Sequence, residues 1–191
     1  MTENKEPKIA GLLLAAGGSS RLGRPKQLVE FEGKTLIRRA VEALTEAGCN
    51  PVVVVLGGEI DGSRKALESL SVEILENQDW RDGMSSSVRI GISLLRGWDV
   101  DAVLISLCDQ PHIGSDDLRK LIDAFSETAS SIVAAQYDGI LGVPALFSQE
   151  LFDDLASLTG DSGARDLIRS RGSFAVPLPE ASFDVDTRED L

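Results

Sequence analysis

After a polar start the chain enters Ile9 to Ala15, seven residues with no charged or strongly polar side chain. A run that is apolar at every position, and too short for a buried helix, predicts a strand covered on both faces. Pro51 to Leu56, Ala102 to Leu107 and Ile132 to Gln136 repeat the pattern. Val72 to Leu75 and Val143 to Phe147 predict shorter strands, and one more falls in the tail from Phe174 to Leu191. Between these runs the apolar spacing changes to three and four. Leu36, Ile37, Ala40, Val41 and Leu44 predict a helix over Lys34 to Ala47, stopped by Gly48. Gly62 to Leu70 carries a weaker helical pattern. Ser85 to Leu95 carries a stronger one, with Ser85 or its neighbour placed to cap it. Ser115 to Phe125 opens with the acidic turn that suits a helix dipole. Helices are also predicted over Gln149 to Leu158 and Gly163 to Arg169, and Tyr137 to Gly142 reads as a turn-rich break.

Apolar strands alternating with helices imply an α/β domain with a mostly parallel central sheet covered on both faces. The 191 residues fit one domain, and no repeat, low-complexity tract or linker divides them. Met1 to Lys8 is expected to be a disordered tail. In such sheets ligands bind beyond the carboxyl ends of the strands. That places interest on the loop after Ala15, on Gly57-Gly58, on Asn77 to Ser87 and on Cys108 to Pro111, where the unusual polar residues gather.

Charge narrows the partners. With 19 basic and 31 acidic residues the formal net charge is -12, so neither nucleic acid nor an anionic membrane is expected as a partner. Phosphate would have to be held by a local group of cations or by a metal ion. Cys49 and Cys108, the two cysteines, match neither a disulfide scaffold nor a zinc motif. The start lacks a signal-peptide pattern and no apolar run approaches a membrane span. A cytoplasmic enzyme is the expectation.

One loop has the required local cations. Ala15-Ala16-Gly17-Gly18-Ser19-Ser20-Arg21-Leu22-Gly23-Arg24-Pro25-Lys26 follows a buried strand. Glycines there let the backbone turn sharply and offer several N–H groups to one anion. Arg21, Arg24 and Lys26 add charge suited to a triphosphate. Two familiar phosphate loops are excluded. Arg24-Pro25 stands where a P-loop needs Lys-Ser/Thr, and the glycine spacing is wrong for a dinucleotide fingerprint. A solvated surface turn is the alternative, disfavoured by three cations within six positions of an acidic chain.

These residues resemble a known family. Leu14 to Leu28 is similar to the opening motif of MobA-like nucleotidyltransferases, and in particular to the molybdenum cofactor cytidylyltransferase branch. Later segments agree: Asn77-x-x-Trp80-x-x-Gly83-Met84-Ser85-Ser86-Ser87-Val88-Arg89, Leu107-x-Asp109-Gln110-Pro111, Gly142 to Phe147, Gly160 to Arg165, and Asp184-Val185-Asp186-Thr187. The resemblance implies a three-layer Rossmann-like nucleotidyltransferase fold. It also implies transfer of CMP from CTP to a molybdopterin-type acceptor, with release of pyrophosphate and use of Mg²⁺. A molybdoenzyme or its maturation chaperone would receive the product. Ala16, where the GTP-using branch has glycine, resembles the CTP-using branch. Two rival readings are a nucleotidyltransferase for GTP or another phosphorylated acceptor, and a non-catalytic carrier of the molybdenum cofactor.

The site expected from residues and resemblance together joins several segments. Leu14, Ala15, Ala16, Gly17 and Gly18, with Arg21 and Lys26, would bind the nucleotide, Arg21 and Lys26 also acting in catalysis. Asp109, just after a strand, suits Mg²⁺, which takes one or two carboxylates and leaves other positions to water and phosphate. A turn-forming Asp before Pro111 is the alternative. The resemblance favours Asp186 over Asp184 as second ligand, although Asp186-Thr187 with Glu189 would also suit a helix cap. Gly83, Ser85, Ser86 and Ser87 would face the nucleotide and its base, with Arg89 able to reach the same anion. His112 is not expected to act as a base.

Overall fold

The computed structural model describes residues 6–17, 23–161, 163–187 and 190. Its central sheet has seven strands: β1 (Ile9–Ala15), β4 (Val52–Leu56), β5 (Glu73–Glu76), β6 (Ala102–Leu107), β7 (Ile132–Tyr137), β8 (Ile140–Ser148) and β9 (Phe174–Pro177). The order across the sheet is β5-β4-β1-β6-β8-β7-β9. β1 pairs in parallel with both β4 and β6, while β8 runs antiparallel to β6 and β7. A small separate ribbon joins β2 (Glu30–Phe31) to β3 (Lys34–Thr35).

Alternation along the strands builds two cores, as side chains with period two must. Ile9, Leu13 and Ala15 pack with Ile37, Val41 and Leu44 of α1 (Leu36–Glu46), Leu67 of α2 (Asp61–Leu67) and Leu118 and Leu121 of α4 (Ser115–Glu127). Ala10, Leu12 and Leu14 pack on the other face with Val88, Ile92 and Leu95 of α3 (Met84–Leu95). Leu155 of α5 (Phe152–Ala156) and Ile168 of α6 (Arg165–Arg171) complete that face. The result is the expected three-layer Rossmann-like α/β arrangement.

Several boundaries differ from the sequence reading for local reasons. Lys34 and Thr35 belong to β3 and not to the first helix, because Glu32 and Gly33 take φ of 50° and 80° and fold the chain into a tight hairpin. Tyr137 to Gly142 is likewise a hairpin and not a break: Asp138 and Gly139 have φ of 47° and 75°, and Tyr137 pairs with Ile140. Lys8 is tied to the chain before β6. Its N–H donates to the Asp101 carboxylate (2.7 Å), and its carbonyl accepts from the Asp101 N–H (2.8 Å).

Register then builds the site. Ala15 stands opposite Leu56, and Leu14 opposite Leu107. The loops beginning at Ala16, Gly57 and Cys108 therefore leave the sheet side by side, where the strand order turns back at β1. Among the described residues no helix is long and apolar enough to cross a membrane.

Candidate active site

A cleft of about 670 Å³ opens at this edge. Leu14 to Gly17 line it at the end of β1, Leu107 to Asp109 at the end of β6, and Lys26 and Gln27 from a 3₁₀ turn, Lys26–Leu28. Trp80, Arg81, Gly83, Met84 and Ser87 line it from the start of α3, with Asp161 and Asp186 from more distant loops.

The tail reaches the cleft through a backbone bond and an apolar anchor. The Val185 N–H donates to the Asp109 carbonyl at 2.9 Å. Val185 is buried with Val29 and Leu36, with Phe31 and Phe183 packed alongside. His112 belongs to this packing, its ring centroid 5.4 Å from that of Phe31 and 4.7 Å from that of Phe183. The next residue, Asp186, is thereby delivered to the cleft. Its N–H and that of Thr187 donate to Asp190 Oδ2 at 2.9 and 2.7 Å. Asp190 thus closes the turn, in the role expected of Glu189, which lies outside the described residues.

Lys26 joins the two carboxylates. Its Nζ lies 3.0 Å from Asp109 Oδ2 and 2.6 Å from Asp186 Oδ1. The lysine side chain is 17% exposed, Asp109 23% and Asp186 52%. Burial opposes the charge on Lys26, but Asp109 and Asp186 outweigh it and hold the ammonium above its ordinary pKa. Exposed Asp184 lies close enough to feel these charges. Burial, and then the charge of Asp109, push its carboxyl up to about 6. Asp109 Oδ1 is buried with no hydrogen-bond partner among the described residues. A buried carboxylate oxygen without a donor is costly unless a cation meets it. Hard carboxylate oxygens of this kind fit a divalent cation. No group of three or more His, Cys, Asp or Glu able to hold a metal occurs among the described residues. Asp109 and Asp186 would share the ion with water and phosphate.

The opposite wall is built by close contacts. A Cβ on Gly57 would lie 2.7 Å from both Ala16 O and Trp80 Cγ, so only glycine lets Trp80 close over the first loop. Arg81 stacks on Trp80, its guanidinium carbon 4.4 Å from the ring centroid. Gly83, at φ 101°, precedes α3, and a Cβ there would collide with Asp161 Oδ1 and the Gly160 carbonyl.

The serines correct the sequence reading. Ser85 does not cap α3, since Gly83 stands at that position without a side-chain cap. Ser85 and Ser86 are buried and do not line the cleft; Ser87 does. Asn77, given no role of its own in the sequence analysis, donates from Nδ2 to the Oγ of Ser86 (2.8 Å) and of Ser87 (2.9 Å). Arg89 donates to the Leu158 carbonyl at 2.7 Å and so ties α3 to the loop after α5. Gly18 and Arg21 lie outside the described residues, and Arg24 is exposed without lining the cleft.

Cys108 is buried at the cleft floor, where burial and the neighbouring Asp109 push its thiol up. Burial alone pushes Cys49 up to about 12. Neither is expected to react with iodoacetamide in the folded protein near neutral pH, whereas both react after denaturation, as mass spectrometry would record. Rapid labelling of folded Cys108 would show a floor that opens.

The sequence profile of the MobA-like NTP transferase domain matches residues 11–175. The chain belongs to that family. Among relatives of this MobA-like transferase, a protein of Paenarthrobacter nicotinovorans named nicotine blue oxidoreductase is 32% identical over 200 residues, covering 100% of this chain and 95% of the other. A probable molybdenum cofactor guanylyltransferase of Bacillus cytotoxicus is 28% identical over 137 residues, covering 70% of this chain and 67% of the other. The crystal structure of Rv0371c from Mycobacterium tuberculosis H37Rv in complex with manganese superposes with a TM-score of 0.79 at 28% identity, covering 96% of this chain and 95% of the other. The family assignment makes the chain an enzyme of the nucleotidyltransferase class.

Proposed function

We propose that this MobA-like transferase moves CMP from CTP to the terminal phosphate of a molybdopterin-type acceptor and releases pyrophosphate, with Mg²⁺ as its divalent cation. The observation that carries this reading is the meeting of Lys26 with Asp109 and Asp186 beside the backbone of Ala15 to Gly17. The Lys26 ammonium and the loop amides hold and orient the triphosphate, a task shared by Arg21. Asp109 and Asp186 would hold the divalent cation, which would supply positive charge against the α-phosphate as the acceptor anion approaches. The acceptor phosphate is already ionised near neutral pH, so no side chain needs to take its proton. The packed ring of His112 is consistent with that. Catalysis is then positioning and electrostatics. Ala16 favours CTP, while the relative named as a guanylyltransferase keeps GTP as the competing nucleotide. The product would pass in the cytoplasm to a molybdoenzyme or its maturation chaperone.

The relative named nicotine blue oxidoreductase favours a second reading, reduction of a planar heteroaromatic against Trp80 and Met84. A lysine shared by two carboxylates has no part in hydride transfer, and this ranks the second reading below the first. One panel separates them. The four NTPs are tested with molybdopterin, with and without molybdenum and Mg²⁺, for pyrophosphate, and in a parallel arm nicotine blue is supplied as electron acceptor while the oxidation of NADH and NADPH is followed. Metal-dependent pyrophosphate from CTP is the expected result. Pyrophosphate from GTP alone would reassign the base, and nucleotide oxidation without pyrophosphate would overturn the reading.

A further inference from the structure

Gln27, between Lys26 and Leu28 on the 3₁₀ turn, takes no part in the chemistry above. It is 1% exposed. Its Nε2 donates to the Ala15 carbonyl at 2.6 Å and to the Gly17 carbonyl at 2.9 Å. Two carbonyl oxygens can be met in this way only by the NH₂ end of the amide, so its orientation is determined by its partners. The intervening Ala16 carbonyl accepts from the Gly58 N–H at 3.3 Å. All three carbonyls of the loop's first turn are therefore engaged. In a planar trans peptide the N–H points opposite to the C=O, so these bonds also set the directions of the Ala16 and Gly17 amide hydrogens. The same side chain fastens the turn that carries Lys26 to the end of β1.

The other half of the amide is unsatisfied: Oε1 is buried and has no partner among the described residues. Such an atom costs stability, and an apolar residue of similar length would fill the space without that cost. Packing therefore does not account for a glutamine here, whereas its two donated bonds do.

We infer that Gln27 is a positioning residue of the triphosphate site, clamping the glycine loop and the Lys26 turn in one relative placement. The inference rests on the reading that the loop and Lys26 hold the nucleotide. Gln27→Met keeps the length and removes both donors; Gln27→Glu keeps the shape and sets a carboxylate against two carbonyl oxygens. For each variant, CTP and GTP affinity is measured by calorimetry and folding by circular dichroism and thermal melting. Gln27→Met is expected to fold as the parent does and to bind its nucleotide on the order of tenfold more weakly, with Gln27→Glu weaker still. A structural role would add to other losses. The clamp predicts instead that Gln27→Met combined with Lys26→Ala loses clearly less affinity than the sum of the two single losses, because one of the two groups being positioned has gone. Parental affinity in Gln27→Met, or fully additive losses in the double variant, overturns the clamp while leaving the nucleotide site standing. Absence of CTP and GTP binding by the parent overturns both.

Discussion

Replacing Asp109 with alanine is expected to lower turnover by a factor on the order of a hundred or more, the scale of one lost electrostatic contribution in a desolvated site. Asp109 holds Lys26 through Oδ2 and carries a buried Oδ1 with no partner among the described residues. It is thus the carboxylate best placed to meet a cation that a nucleotide brings. The substitution leaves the fold's supports in place. The bond from the Val185 N–H is to the Asp109 backbone, and Lys26 retains Asp186. Asp109→Asn tests charge apart from shape: it preserves volume and one acceptor oxygen, and it is expected to lose most of the same activity. Pyrophosphate release at saturating nucleotide, read beside the melting temperature, gives the result. Parental turnover in Asp109→Ala would remove this residue from the metal role.

Much of this architecture is legible in the sequence because burial on both faces leaves a simple mark. Ile9–Ala15 and Ala102–Leu107 are strands over the very residues at which their apolar runs begin and end. Lys34 and Thr35 were harder, since a two-residue strand has no periodicity and its turn is made by a glutamate at positive φ. In the site, Asp109 stands out as a charge just after a buried strand, and Lys26 as one of the cations of the glycine loop. Asp186 needs the tail's path, set by the Val185 N–H and by an apolar anchor on Val29 and Leu36. The serines separate only once they have positions: all three are buried, Ser87 lines the cleft, and Ser86 and Ser87 share the Asn77 amide. Asn77 and Gln27 stand inside the segments that carry the resemblance, but their tasks are not legible there, because a neutral polar residue in a loop has no signature until its partners have positions.

Replacing Lys26 with alanine is expected to weaken nucleotide binding by roughly ten- to a hundredfold, the span of one hydrogen bond to a charged group. The consequence for the free protein is more diagnostic. Lys26 is the cation shared by Asp109 and Asp186, and it also draws down the carboxyl of Asp184, which burial and Asp109 push up to about 6. Without it, Asp109 and Asp186 share the cleft without that ammonium, and Asp184 still feels both charges. Their repulsion lowers stability, and a divalent cation becomes the natural replacement. Mn²⁺ or Mg²⁺ added without nucleotide should therefore raise the melting temperature of Lys26→Ala by more than that of the parent, through preferential binding to the folded state. In the parent the ammonium competes for the same oxygens, so the ion gains most when nucleotide phosphates draw the lysine toward themselves. An equal shift in both proteins would place the ion elsewhere, and unchanged nucleotide affinity in Lys26→Ala would separate this lysine from the triphosphate.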